Sequence, residues 1–81
     1  MKAEEEVLVD VVTLIEDRPG SLAAVTTALG SEGVNIEDVT LRHAPVGGRG
    51  ALVITVAGEE AAERARAALQ ARGFSTRLER Q

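Results

Sequence analysis

Two kinds of apolar pattern alternate along this 81-residue chain, and their order constrains the fold more than any other feature of the sequence. The run from Val7 to Ile15 is rich in β-branched residues and holds a single charge, which predicts a strand with two largely apolar faces. Leu22, Val25 and Leu29 then recur at helical spacing. Because Gly33 stands where a helix commonly ends, this part of the chain predicts a strand followed by a helix.

The apolar residues of the second predicted strand, which ends near position 44, change phase partway along. Val34 and Ile36 share one parity, whereas Val39 and Leu41 have the other. Side chains alternate between the two faces of a strand, so a change of parity needs a structural cause. The pattern predicts either a bulge near Glu37 or a strand that passes from one buried face to another.

The rest of the chain repeats the strand and helix patterns. Residues 44–50 predict a hairpin loop, and Ala51 to Ala57 follows as a third strand. A second helix is predicted from Gly58 to Gly73, with a short last strand over about 74–79. Two βαβ halves joined by a hairpin predict an α+β fold, a ferredoxin-like βαββαβ sandwich whose four-stranded antiparallel sheet carries both helices on one face. We expect a single domain over residues 1–81, with an acidic tail at about 1–6.

Composition excludes several functional classes. Cysteine is absent and His43 is the only histidine, so disulfides, thiolate zinc sites and histidine-rich metal centres are excluded. The net charge is −4 and Phe74 is the only aromatic residue, which opposes nucleic-acid binding. No apolar run is long enough to span a membrane, and the acidic N-terminus is unlike a signal peptide. We therefore expect a cytoplasmic protein that uses no cofactor, nucleic acid or membrane.

The turn that opens the first helix offers groups suited to a free amino acid. The helix-start amides of Gly20, Ser21 and Leu22 can donate to a carboxylate, and the Asp17 carboxylate can accept from an ammonium group. Asn35 carries a donor and an acceptor on one side chain. The same residues also have a purely structural interpretation, in which Asp17 caps the helix and Asn35 is a polar residue entering a strand.

The sequence D-R-P-G-S-L at positions 17–22, followed by V-N-I at positions 34–36, resembles the signature of ACT domains. These are small regulatory modules of amino-acid metabolism, and the chain is similar to the module at the C-terminal end of some prephenate dehydrogenases. The resemblance implies an amino acid effector bound between two such domains, with Asp17 and Asn35 among its contacts, and regulation of an attached or partner enzyme. Serine-binding modules carry histidine where this chain has Ile15, which favours a more apolar effector or none.

The chain has more aliphatic side chains than one layer between sheet and helices needs, so we expect a second apolar surface on the open face of the sheet. Self-association would bury it, which predicts a homodimer or higher homo-oligomer. No nucleophile with an adjacent base is present, so we expect no catalysis. Two hypotheses remain: an effector-binding regulatory domain, and an ACT-like dimerisation module with no ligand. The predicted interface residues are Val12, Leu14, Val39, Leu41 and Val53.

Overall fold

The computed structural model of the protein describes residues 7–16, 19–43 and 49–80. The predicted order of strand, helix, strand, strand, helix, strand is confirmed. The predicted ligand residue Asp17, the acidic tail and most of the predicted hairpin loop lie outside the described residues. The elements are β1 (Leu8–Glu16), α1 (Pro19–Ser31), β2 (Ile36–His43), β3 (Arg49–Ala57), α2 (Glu59–Ala71) and β4 (Thr76–Arg80).

The four strands form one antiparallel sheet in the order β2-β3-β1-β4. β1 and β3 pair over their full length, from Leu8 opposite Ala57 to Glu16 opposite Arg49. β4 adds to β1, and β2 adds to β3. Because β1 and β2 are both antiparallel to β3, they run in the same direction. The predicted sheet is confirmed, with β2 and β4 as its two edge strands.

The core lies between one face of this sheet and both helices. Directly opposed residues of antiparallel strands share a face, so the register assigns Val9, paired with Val56, and Val11, paired with Ile54, to the helix side. All four are almost completely buried. Alanines on the inner side of α2 leave room for α1 to pack closely. The buried core consists of Val9, Val11, Ile15, Val25, Ala28, Leu29, Leu52, Ile54, Val56, Ala62, Ala65 and Leu69.

Both helices end in the same way, and the strands that follow begin later in the sequence as a result. Gly33 and Gly73 have positive φ values of 68° and 90°, which glycine adopts without a Cβ clash. After each glycine, the next amide bonds back to a helix carbonyl: Val34 N to Leu29 O at 3.3 Å, and Phe74 N to Leu69 O at 3.0 Å. β2 and β4 therefore begin two residues later than the sequence pattern predicts.

The bulge in β2 is confirmed. Ile36 pairs with Val56 and Asp38 with Thr55, so Glu37 is the extra residue. Beyond the bulge, Val39 lies opposite Ile54 and Leu41 opposite Leu52, both core residues of the helix side. Because of the bulge, Val39 and Leu41 lie on the same face of the sheet as Ile36, although their parity in the sequence differs.

Candidate functional site

The first turn of α1 begins at Pro19 and carries the backbone amides of Gly20 and Ser21. Its amides have no partner within the helix, because the first four N–H groups of any α-helix lack one. Gly20 is exposed, and a Cβ added there would have no other atom within 4 Å among the described residues. The turn holds no acidic side chain, whereas the first turn of α2 carries Glu59 and Glu60. Of the two helix starts, α1 is therefore the one suited to an anion.

Ser21 and Leu22 present different groups at this start. Ser21 is only 9% exposed and lies on the inner stripe of α1 with Val25 and Leu29. Its hydroxyl forms no hydrogen bond in the part of the chain that the structure describes, so it remains available. Leu22 is exposed and offers an apolar contact beside the amides.

Asn35 lies in the connection between α1 and β2 and is exposed. Its Nδ2 lies 3.3 Å from Oε2 of Glu37, the bulge residue. A carboxylate only accepts hydrogen bonds, so the amide nitrogen must be the atom that faces it. The amide oxygen of Asn35 accepts no hydrogen bond from a described residue.

The start of α1 and Asn35 lie at opposite ends of the domain. α1 begins after β1 ends and returns antiparallel to it, so Asn35 follows the far end of the helix. Thirteen residues of α-helix span about 20 Å at ~1.5 Å per residue. A free amino acid is much shorter than this, so a single copy of the chain does not bring Gly20 and Asn35 to one ligand.

The five predicted interface residues do not share one surface, which corrects the expectation of a single apolar open face. Val12, paired with Val53, and Leu14 lie on the open face, opposite to the core. Val39 and Leu41 lie on the helix side of β2, because the bulge at Glu37 shifts their register. Strict alternation along β2, counted from Ile36 without a bulge, would place both residues on the open face with Val12.

Exposure also differs between the two surfaces. On the open face, Val12 and Val53 are only 6% and 7% exposed, which leaves Leu14 at 45% and Leu8 at 40% as the exposed large apolar side chains. On β2, Val39 and Leu41 are 45% and 43% exposed. Together with exposed Ile36, these residues form the larger uncovered apolar row. Neither helix brings a Cα atom within 8 Å of β2 among the described residues.

The two edges of the sheet are protected to different degrees. β4 has five residues, of which Arg77, Glu79 and Arg80 are charged. Arg77 pairs with Glu79 on the strand, and Arg80 pairs with Glu59 of α2. Short, charged strands covered by a helix discourage edge pairing. The longer β2 carries the exposed apolar row of Ile36, Val39 and Leu41, so it is the edge that remains open.

Among the described residues, the resolved pKa shifts belong to one ion pair, which lies away from the start of α1 and from β2. Hydrogen bonds from Arg80 hold the pKa of Glu59 below its ordinary value, and the same contact raises the pKa of Arg80. Within the described ranges, no three His, Cys, Asp or Glu side chains come together as a metal site. Over the same residues, no helix has the length and apolar character needed to cross a membrane.

Sequence reasoning predicted a bulge near Glu37 but missed the contact of Glu37 with Asn35 and the contribution of Ile36 to the apolar row. The signal for both was the change of phase in β2. Once it is taken as a bulge, Ile36 joins Val39 and Leu41 on one face, and Glu37 is the residue that has no partner on β3.

Comparison with known proteins matches residues 9–74 to the ACT domain. Among solved structures, the ACT domain of prephenate dehydrogenase from Bacillus anthracis is 31% identical, with a TM-score of 0.76, and the match covers 84% of this chain and 99% of that one. The regulatory subunit of aspartate kinase from Thermus thermophilus, in its ligand-free form, is 24% identical with a TM-score of 0.74. That match covers 96% of this chain and 57% of the other, and shows the shared fold.

An uncharacterized protein from Thermotoga maritima also shares the fold, with 13% identity, a TM-score of 0.70 and coverage of 94% and 98% of the two chains. No curated protein sequence matches the chain. The match over residues 9–74 and the β-α-β-β-α-β architecture agree. The chain belongs to the ACT domain family.

Proposed function

We propose that this ACT domain is a non-catalytic sensor that binds a small amino acid between two copies of the chain and regulates an enzyme of amino-acid biosynthesis. The observation that carries the proposal is the separation of the α1 start from Asn35 by the length of the helix. Two half-sites with complementary chemistry lie at opposite ends of one copy. A second copy related by a twofold rotation would place the start of α1 in each copy beside Asn35 of the other.

The open edge at β2 supports such an arrangement. Antiparallel pairing of β2 with β2 of a second copy reverses the strand direction, so the start of β2 in one copy lies beside the end of β2 in the other. The end of β2 and the start of α1 lie at the same end of the domain, because β1 and β2 run in the same direction. Asn35 of one copy is thereby brought toward Gly20 of the other.

The sequence of β2 is self-complementary in one register. With the twofold axis at Thr40, Asp38 lies opposite Arg42 of the second copy on the open face, and Val39 lies opposite Leu41 on the helix side. Opposite charges and apolar pairs directly across two strands are stabilising. This register repeats each favourable pair twice, which favours a second copy of this chain as the partner of β2.

The proposed site fits both charged ends of an amino acid. The amides at Gly20 and Ser21 would receive the carboxylate, assisted by the helix dipole. The amide oxygen of Asn35 from the other copy would accept from the ammonium group, together with Asp17, which remains a sequence prediction. Exposed Leu22 favours an effector with an apolar side chain. Ile15, by contrast, is part of the core and offers no polar contact.

Regulation follows from a site that is built by two copies. An effector that contacts both walls binds the paired arrangement more tightly than separated copies, and it shifts the population toward that arrangement by the difference in affinity. An enzyme attached to this domain or associated with it would respond to the change. The similarity to the ACT domain of prephenate dehydrogenase makes a dehydrogenase of this kind the enzyme that we propose.

A second candidate function is a dimerisation module without an effector. The self-complementary register of β2 favours it, because pairing through Asp38, Arg42 and the apolar row needs no ligand. The two functions predict the same dimer and differ only in ligand binding.

The deciding experiment is titration calorimetry of the chain with each of the twenty L-amino acids at millimolar concentration. We expect at least one to bind, and Asn35→Ala to weaken that binding on the order of tenfold while the dimer persists. Ser75→Ala is the matched control, since Ser75 occupies the corresponding position after α2. If no amino acid produces heat or raises the melting temperature, the effector proposal is wrong and the dimerisation module remains.

A further inference from the structure

We propose that Glu37 is a positioning residue that turns the amide oxygen of Asn35 toward the effector, so that Asn35 recognises the ammonium group and not the carboxylate. This inference rests on the proposed function and specifies which end of the amino acid each half-site receives.

The contact joins Asn35 to a residue that lies outside the regular pairing of the sheet. Side chains two residues apart in an extended segment can reach each other, as Arg77 and Glu79 do on β4. In β2, Glu37 is the extra residue between Ile36 and Asp38 and has no partner on β3. Its carboxylate instead accepts a hydrogen bond from Nδ2 of Asn35 at 3.3 Å. The intervening Ile36 lies on the helix side of the sheet.

The chemistry of the contact fixes the orientation of the amide. Asparagine can offer either its two N–H donors or its oxygen, and a rotation about the last side-chain bond exchanges them. A carboxylate accepts hydrogen bonds only, so Glu37 selects the nitrogen and leaves the oxygen for another group. An ammonium donates and matches that oxygen, whereas a ligand carboxylate would meet a second acceptor.

The charge of Glu37 acts in the same direction. A carboxylate one hydrogen bond away from Asn35 attracts a ligand cation and repels a ligand anion. The first turn of α1, at Gly20 and Ser21, has the opposite preference because it presents backbone amides and holds no acidic side chain. The two half-sites therefore favour one orientation of a bound amino acid, with its ammonium group at Asn35 and its carboxylate at the start of α1.

The test has two parts that use the same variants. In the free protein, ¹⁵N-resolved NMR follows the side-chain amide protons of Asn35. We expect Glu37→Ala to shift the bonded proton upfield and to accelerate its exchange with solvent several-fold, and Glu37→Gln, which retains an acceptor oxygen, to have a smaller effect. Glu32→Ala is the matched control, since Glu32 is an exposed acid in the same connection. An amide signal that does not respond to Glu37→Ala overturns the proposal.

In the second part, calorimetry compares the panel of twenty L-amino acids, and the 2-hydroxy acids that correspond to those that bind, on each variant. We expect Glu37→Ala to weaken amino acid binding on the order of tenfold and to narrow the preference over the hydroxy acid, with Glu37→Gln closer to the unmodified protein. Unchanged binding in Glu37→Ala overturns this proposal and leaves the proposed function intact. If no amino acid binds the unmodified chain, both are wrong.

Discussion

The guanidinium of Arg80 binds the carboxylate of Glu59 at two points, Nε to Oε2 at 2.5 Å and Nη2 to Oε1 at 2.7 Å. The pair joins the last strand to the first turn of α2. Hydrogen bonding from Arg80 lowers the pKa of Glu59 in the folded protein. Both side chains are exposed, so solvent screens the interaction and its contribution to stability is small.

The first prediction is that this contribution disappears at acid pH. Because folding lowers the pKa of Glu59, the pair stabilises the protein above the ordinary pKa of glutamate, and the stabilisation is lost as the pH falls through the lower, folded value. Glu59→Gln should be slightly less stable at about pH 7, and the difference should shrink and then vanish as the pH falls below the ordinary pKa of glutamate and through the lower value of the folded protein. Urea unfolding followed by circular dichroism measures this. Glu60→Gln, at an exposed neighbour without an ion pair in the described chain, should show no such trend.

Substitution of two glycines by alanine should have effects of opposite sign. A Cβ at Gly50 would lie 2.9 Å from the carbonyl oxygen of Arg42, so Gly50→Ala must push β2 away from β3. We expect a loss of about 1–3 kcal/mol in the free energy of unfolding. Gly30, within α1, has open space at the same point, and Gly30→Ala should stabilise by about 0.5–1 kcal/mol. Equal effects in chemical denaturation would contradict the close approach at Gly50.

The third prediction distinguishes the two apolar surfaces. Val39 and Leu14 are both 45% exposed, but Val39 lies on the β2 edge and Leu14 on the open face. Val39→Lys should weaken self-association by at least about tenfold, because it places an unpaired charge in the proposed interface. Leu14→Lys should leave it unchanged. Sedimentation velocity measures both, with circular dichroism to verify folding. The reverse result would assign the interface to the open face.

The fourth prediction concerns the register at Thr40. Asp38→Arg would place two positive charges opposite each other in the proposed pairing, and we expect the dimer to weaken by on the order of tenfold. The double variant Asp38→Arg with Arg42→Asp restores opposite charges and should return the dissociation constant to within about threefold of the original. Analytical ultracentrifugation of the single and double variants provides the comparison. A double variant as weak as the single one would contradict this register.

Much of the fold could be predicted because the patterns for its helices and for most of its strands each favoured a single secondary structure. Helical spacing ending at Gly33 and at Gly73 located both helices, and β-branched runs located the strands around them. The helix ends also explain the small errors. Val34 and Phe74 look like strand residues, but their amides close the preceding helix, and pairing starts only afterwards.

The arrangement of the candidate site could not be predicted from local pattern alone. The parity change in β2 had two solutions, and only the pairing of Val39 with Ile54 distinguishes a bulge from a change of face. The separation of Gly20 from Asn35 follows from the length of α1, whereas the position of β2 at an edge of the sheet depends on long-range strand pairing, which the motif does not contain. The contact between Glu37 and Asn35 joins two exposed side chains next to the bulge, and the motif does not show which of the neighbouring polar groups meet.

The unequal edges of the sheet would also determine where the proposed assembly stops. An interface in which β2 meets its own copy uses up the open edge of both chains at once, and the outer strand on each side is then the charged, helix-covered β4. Such an isologous contact closes on itself, whereas pairing of one edge with a different edge would continue into a filament. In the proposed dimer, the charges of Arg77, Glu79 and Arg80 would therefore limit growth to a finite complex and would discourage aggregation through the sheet.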